Sequence, residues 1–555
     1  MGKSLDGIYD VLASRWSVIP AIAVFAFSAS RYSRAFPCQD DPLTAWAAFL
    51  PASYCEVVGR TSLMPHTFVF FWLARGLDAL FGGGLEVVRM AAIGTWGVTV
   101  AAIYALVRRL APGTLAPIAA ASFVAMDLSF VFFHACARPY ALMPLLIVTT
   151  LFGLVRIADR RFTSGLLLLA VGAGLTLHMS PITIVYVGSV LAVGTLLAYQ
   201  AGAPRGAWGA YIAALIAIVP LAAAKTAGLF FSAFAGLFSV AVAPPTAAGM
   251  RSNGTFYSWT EGSSLFRNMF GGGFLYSMGF ALLLGVALFL ALVIGRRKGW
   301  LLTPTHPLLS ERSLAVLFAL VMINPIAKLV ALATYGVPLL APWYHVPEAV
   351  LLVFPAALLI GTIRSRSIGA LTLLLGLPLY LCLMAIEIPA AAEGSRRFAT
   401  EYRRPIFEYV RNSAAPDDVI VVVSVWPEAR IWDSYEDPLR RSFLLADALL
   451  VPGFDVGRAI PAPLGEGETG AHFVDRVLAL VTARSRIWFV NQVRYEAAWN
   501  PAIGWERNWA YRQLINLGFH EQHLSGLPAE FEGRLFVLAQ AKTLAGTVAG
   551  GDNHE

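Results

Sequence analysis

Charge is scarce in this chain: Asp, Glu, Lys and Arg make up 14% of its 555 residues. Soluble domains carry about a quarter, so a single soluble enzyme is excluded. Disorder is excluded as well, because 57% of the residues are hydrophobic and mean hydropathy is +0.66. Cysteine is equally short, and four residues cannot make a disulfide framework. Nine histidines lie scattered, with no His-Glu-x-x-His, Cys-x-x-Cys, Walker loop or Gly-x-Ser-x-Gly. The expectation is therefore no metal and no cofactor. The net charge of +7 does not point to nucleic acid, since many of the basic residues sit in short loops between hydrophobic runs.

Apolar sequence is what the chain has in surplus, and it has to face lipid. Hydrophobic runs lie at about 16–31, 86–107, 113–132, 139–155, 163–178, 181–199, 208–224, 270–295, 313–335, 347–363 and 368–388. At roughly 20 residues per span, these make a polytopic α-helical membrane protein with about eleven transmembrane helices in residues 1–390. A signal peptide cleaved near Ser28-Ala29-Ser30 is the alternative for the first run. Asp6 and Asp10 in a long leading segment favour an uncleaved span. The segment 63–82 is apolar but interrupted by Pro65, Arg75, Asp78 and Gly82. It reads as a helix lying along the interface, so the first outer loop, 32–85, carries interfacial helices.

With that segment not spanning, the Arg/Lys clusters between spans fall on one side: Arg108 and Arg109, Arg156 to Arg161, Arg205, Arg296 to Lys298, Arg312, Arg364 and Arg366. That side is cytoplasmic. Loop 32–85, loop 225–268 and residues 391–555 are then extracytoplasmic. The last region is polar and reads as a soluble α/β domain. It has a helix at Tyr402–Asn412, strands at Val419–Val423, Arg486–Val490 and Arg534–Leu538, and a helix from Glu506 to Leu517 closed by Gly518.

Polar groups beside a bilayer are expensive, so those that are kept are functional candidates. Cys38-Gln39-Asp40-Asp41-Pro42 stands just outside the first span. Adjacent carboxylates suit a general base, and their like charges raise the pKa of one member. The plainer reading is an Asp41 N-cap with Pro42 at the first helical position. Arg138-Pro139-Tyr140, preceded by His134, stands at the outer mouth of the third and fourth spans. There Arg138 either holds an anion such as phosphate or anchors the chain at the interface. His178 reads first as a packing residue and second as a substrate contact. Lys328, near Asn324, and Lys225 each suit a lipid phosphate, Lys225 reading first as a snorkelling cation. His345 is a further candidate on the outer rim. Cys38 and Cys55 share the outer loop, as a disulfide or as two free thiols.

Taken in order, these motifs carry a resemblance. Asp40-Asp41-Pro-Leu-Thr-Ala-Trp46 resembles the Asp-Glu-x-Tyr-Thr-x-Trp segment of bacterial GT-C glycosyltransferases. The branch is that of protein O-mannosyltransferases, the lipid A aminoarabinose transferase and rhizobial galacturonosyltransferases. Met64-Pro65-His66 and the aromatic run after it are similar to the family's His-Pro-Pro-Leu-Tyr-Tyr interfacial helix. Phe81-Gly82, Arg89 and Arg108-Arg109-Leu110 follow at matching distances. Ala137-Arg138-Pro139-Tyr140-Ala141-Leu142 resembles Glu-Ala-Arg-x-Tyr-Ala-Leu, and His178 falls at the family's Thr-His-Tyr. The likeness covers about residues 15–200. Departures are Asp41 for Glu, Met64 for His and Cys136 for the Glu before Ala-Arg.

The resemblance implies a GT-C-like domain in the bacterial inner membrane. Its donor would be a polyprenyl-phosphate sugar, used without a cofactor, and its acceptor a lipid, glycan or protein outside. Asp40 would be the general base and Asp41 would orient it, with Arg138, Tyr140, His66, His178, Lys328 and His345 binding substrate. Two other classes fit a polytopic chain. A lipid-linked glycan flippase or transporter places ionisable residues near the midplane, whereas here they gather at the outer rim. An O-antigen ligase or polymerase uses a diphosphate-linked donor and a large late outer loop.

Overall fold

The computed structural model describes residues 2–33, 41–61, 66–242, 276–302, 306–310, 315–316, 318–320, 322–327, 346–398, 404–416, 418–423, 448, 451, 453–454, 459–461, 486–491, 515, 519–522 and 532–538. The chain divides into two compact units, Met1–Arg396 and Arg397–Glu555.

The first unit is helical because its sequence is a succession of apolar runs with few breakers. Twelve helices are α1 (Gly2–Ala13), α2 (Val18–Tyr32), α3 (Asp41–Ala48), α4 (Tyr54–Thr61), α5 (Val69–Phe81), α6 (Leu85–Leu110), α7 (Ala116–Met126), α8 (Leu128–Ala135), α9 (Met143–Ala158), α10 (Phe162–Met179), α11 (Ile184–Gln200) and α12 (Arg205–Val242). Further on lie α13 (Tyr276–Arg297), α14 (Val346–Gly361) and α15 (Arg366–Phe398). Among the described residues, five helices are long and apolar enough to cross a membrane, or up to seven if each of two bent pairs is one span. The runs expected at 181–199 and 347–363 form the shorter apolar helices α11 and α14. The run expected at 313–335 lies largely outside the described residues. Exposed side chains on α12 and α15, such as Ile216, Leu375, Leu379 and Ile386, are apolar. A surface of that kind is solvated by lipid rather than by water.

Two features depart from the sequence expectation. The leading polar segment is itself a helix, α1, bent by 74° from the helix that follows it. Ser14 caps the intervening turn by accepting from the Trp16 amide at 3.2 Å. The second departure is a bend of 52° at Asp127 within the run expected at 113–132, which divides it into α7 and α8. The Asp127 carboxylate accepts from the Ser129 amide at 2.9 Å and so caps α8. Its other oxygen accepts from the Tyr380 hydroxyl of α15 at 2.7 Å.

Close backbone approach holds the bundle together. A Cβ at Gly172 would meet Leu146 O at 2.8 Å, and one at Gly153 would meet Leu169 N at 2.7 Å, so α9 and α10 pack backbone to backbone. Leu115 N donates to Gly361 O at 3.1 Å, fixing the start of α7 to the end of α14. The Arg109–Asp159 ion pair (2.9 Å), the His306–Asp159 contact (3.4 Å) and the Arg296 bond to Leu309 O (2.7 Å) gather basic loops at one end of the unit. Helix α10 starts at that end, beside Arg161, and finishes at His178 and Met179. The polar residues met at its finish are therefore at the opposite end.

Among the described residues, the second unit holds α16 (Arg404–Ser413) and five strands: β1 (Val419–Val423), β2 (Ala459–Pro461), β3 (Arg486–Asn491), β4 (Phe519–Gln522) and β5 (Glu532–Leu538). The sheet order is β2-β1-β3-β5-β4, with β1 parallel to β2 and β3, and β5 antiparallel to β3 and β4. Ile406, Phe407 and Val410 of α16 pack on Ile420, Trp488 and Val490. Asp418 at the foot of β1 accepts from Trp488 Nε1 at 2.7 Å and pairs with Arg486 at 3.3 Å. The helix expected from Glu506 to Leu517 lies, apart from Ile515, outside the described residues.

Candidate active site

Four of the expected site residues come together at the end of the bundle away from the basic loops: His66, Arg138, Tyr140 and His178. Three do not fall within the described structure. Asp40, Lys328 and His345 lie outside the described residues, and Asp41 is described only as the first residue of α3. Cys38 is likewise outside, while Cys55 is an exposed free thiol.

Helix α3 is fixed firmly beside the arginine. Thr44 Oγ1 donates to Ala137 O at 2.8 Å, so the helix opened by Asp41 is tied to the residue before Arg138. Arginines complete its carboxyl end, where helix carbonyls lack partners. Arg60 donates to Trp46 O at 2.7 Å and lies over the Trp46 ring at 5.3 Å. Arg75 donates to Ala48 O at 3.1 Å and to Pro51 O. Glu56 holds Arg60 in place at 2.6 Å. Bonds to the Ala52 amide and to Arg60 keep the Glu56 carboxyl below the usual carboxylate range.

Arg138 is 3% exposed and enters through an extended residue before the turn Pro139–Ala141. Its guanidinium lies 5.8 Å from the centre of the Tyr140 ring. His66, 2% exposed, faces both: its Nε2 is 3.2 Å from Tyr140 Oη and 3.4 Å from an Arg138 nitrogen. Its Nδ1 is 2.7 Å from Met179 O. Burial, reinforced by the positive charges of Arg138 and then Lys225, pushes the His66 imidazole down to about 3. Two cations thus converge on a neutral ring. A buried guanidinium is a group that can hold a desolvated anion.

His178 does a different job. Its Nε2 faces Ile218 O at 2.7 Å, so that nitrogen carries the proton, and its Nδ1 accepts from Thr67 Oγ1 at 2.9 Å. The Thr67 amide donates to His178 O at 3.3 Å. Both ring nitrogens are engaged in joining the segment before α5 to α10 and α12. Lys225, which reads in the sequence as a snorkelling cation, turns inward and donates to Thr61 O at the end of α4.

Some polar residues were not singled out in the sequence. Thr44 and Thr67 carry no signal there, because a threonine's partner is decided by chain folding. Glu348 carries one that was overlooked: it is a carboxylate in an apolar run, buried at 3% exposure, and accepts from Asn324 Nδ2 at 2.8 Å. Among the described residues, no group of three His, Cys, Asp or Glu side chains is placed to hold a metal ion.

Comparison with known proteins bears on this end of the molecule. Residues 65–243 match the family described as dolichyl-phosphate-mannose-protein mannosyltransferase. ArnT from Cupriavidus metallidurans, solved with undecaprenyl phosphate, is 13% identical with a TM-score of 0.44, over 94% of this chain and 97% of that one. The archaeal oligosaccharyltransferase AglB from Archaeoglobus fulgidus, solved with an inhibitory peptide and a dolichol-phosphate, is 12% identical with a TM-score of 0.42. That alignment covers 95% of this chain and 75% of AglB. A comparison with curated proteins finds no match. The matched family segment contains His66, Arg138, Tyr140, His178 and Lys225, and it supports the recognition reached from the motifs, that of a GT-C-type glycosyltransferase.

Proposed function

We propose that this chain is an inverting glycosyltransferase that moves a sugar from a polyprenyl-phosphate donor to an extracytoplasmic lipid, glycan or protein. In this reading it sits in the bacterial inner membrane with about eleven spans, its basic loops in the cytoplasm. Residues 1–390 form the GT-C-like domain, and residues 391–555 an α/β domain on the outer side. The observation that carries the reading is the buried guanidinium of Arg138, which follows the residue that Thr44 ties to the helix opened by Asp41, with the Lys225 charge also bearing on His66.

The chemistry follows from placing a phosphate at those cations. The acceptor hydroxyl gives its proton to Asp40 as its oxygen bonds to the anomeric carbon. The bond from that carbon to the phosphate oxygen breaks, and its electron pair leaves with the lipid phosphate. Asp41 orients Asp40 or the acceptor. A phosphate monoester leaving group gains more from cationic stabilisation than from protonation, which is the role of Arg138. Lys328 and His345 support it from the outer rim, and Tyr140 completes the binding region.

Membranes containing the protein, incubated with a radiolabelled polyprenyl-phosphate sugar, are expected to transfer label without ATP or an ion gradient. Label that crosses the membrane without forming a new glycosidic bond marks a flippase instead. Arg138→Ala is expected to raise the KM for the donor well above any change for the acceptor. Equal losses for both substrates mean that Arg138 is structural.

A further inference from the structure

His66 is set between two kinds of partner whose chemistry fixes its tautomer. Met179 O, 2.7 Å from Nδ1, is a carbonyl and only accepts, so Nδ1 carries the ring proton. In a neutral imidazole the other nitrogen is then a bare acceptor. Nε2 faces two groups that donate, the Tyr140 hydroxyl at 3.2 Å and an Arg138 N–H at 3.4 Å. The Tyr140 ring stands edge-on to the imidazole, with ring centres 5.4 Å apart at 75°. Met179 belongs to α10, so the imidazole is anchored on one helix and presents its acceptor to the arginine loop following α8.

We infer that His66 is a positioning residue: its bare Nε2, accepting from Tyr140 and Arg138, orients the Arg138 guanidinium toward the donor phosphate, and the imidazole itself does not touch the lipid. This rests on the reading of Arg138 as the anion-holding group and refines it. A protonated ring at this place would turn an N–H and a second positive charge on the guanidinium, which only donates, and expel it. The site therefore works only with His66 neutral. It also means that an acceptor atom matters at position 66, rather than a base.

Two measurements test it. The first is solid-state nitrogen NMR of protein labelled at histidine, with His66→Gln identifying the His66 signals. The expected spectrum has a protonated Nδ1 and a bare Nε2 whose signal moves in Arg138→Ala. A protonated Nε2, or a signal indifferent to Arg138→Ala, overturns the inference. The second is binding of undecaprenyl phosphate to purified protein in detergent, in a double-mutant cycle. His66→Leu and Arg138→Ala are each expected to weaken binding roughly tenfold, the scale of one hydrogen bond to a charged group. The double variant should be no weaker than Arg138→Ala, and His66→Gln, which keeps an acceptor, should recover most of the affinity. Losses that multiply in the double variant mean that His66 contacts the lipid itself, which refutes the positioning role. If the parent protein does not bind undecaprenyl phosphate, the proposed function fails, while the nitrogen signals still decide the role of His66.

Discussion

A histidine kept neutral beside two cations gives the folded protein a pH signature. The His66 ring takes up a proton only near 3 in the folded state, against an ordinary value of 6.5. Between those values the unfolded chain binds a proton that the folded protein does not. Stability from this residue is thus complete above about pH 6.5 and falls as pH drops toward 3, by at most about 1.4 kcal/mol per pH unit. Thermal midpoints measured from pH 7 to pH 4 should decline, and His66→Gln should flatten the decline. An identical slope in both proteins contradicts the burial argument. Candidate residues were legible in the sequence, but their division of labour was not. His66 and Arg138 are 72 positions apart, and His66 and Met179 are 113 apart. Composition marks each as polar near a membrane. Only the meeting of three segments shows that His178 has both nitrogens engaged in joining helices, while His66 faces the arginine.

Helices that face lipid are legible as apolar runs, and α6, α9, α10, α12 and α15 stand where hydropathy puts them. Helix α5, at 13 residues, rises only about 20 Å. It does not count among the helices long enough to cross. The break at Asp127 was not legible because no Pro or Gly marks it. An aspartate in an apolar run was readable as a cap only once Ser129 and the hydroxyl of Tyr380, 253 positions away, were seen to share its two oxygens. Replacing Asp127 by Ala should destabilise the bundle by about 1–2 kcal/mol, through the lost cap and the buried hydroxyl left without an acceptor. Asp127→Asn, which keeps an acceptor for Ser129, should be milder. Thermal unfolding in detergent checks this, and an Ala variant as stable as the parent rules out the capping account. Helix α1 was missed for the opposite reason. It is too polar for a hydropathy reading, and is fastened by side chains, with Asp10 on Arg366 at 3.2 Å and Asp6 on Ser367 at 2.9 Å.

At the scale of the molecule, two polarised ends organise the helical unit. Arg109, Asp159, His306 and Arg296 draw the basic loops together at one end, and the cation cluster around His66 occupies the other. In the proposed function the first end is cytoplasmic and the second is outer, where a lipid carrier delivers the sugar. The Lys225 bond to Thr61 O and the Thr44 bond to Ala137 O tie α4 and α3 to the bundle, so the helix opened by Asp41 is fastened to the residue before Arg138. The account stands on Asp40, the residue before that helix, acting as the base. Purified protein and Asp40→Asn, reconstituted in proteoliposomes with a radiolabelled polyprenyl-phosphate sugar and an acceptor-rich envelope extract, should differ in transfer by about 10²–10⁴-fold. Both should bind undecaprenyl phosphate equally. Transfer by Asp40→Asn at the parental rate would contradict the account.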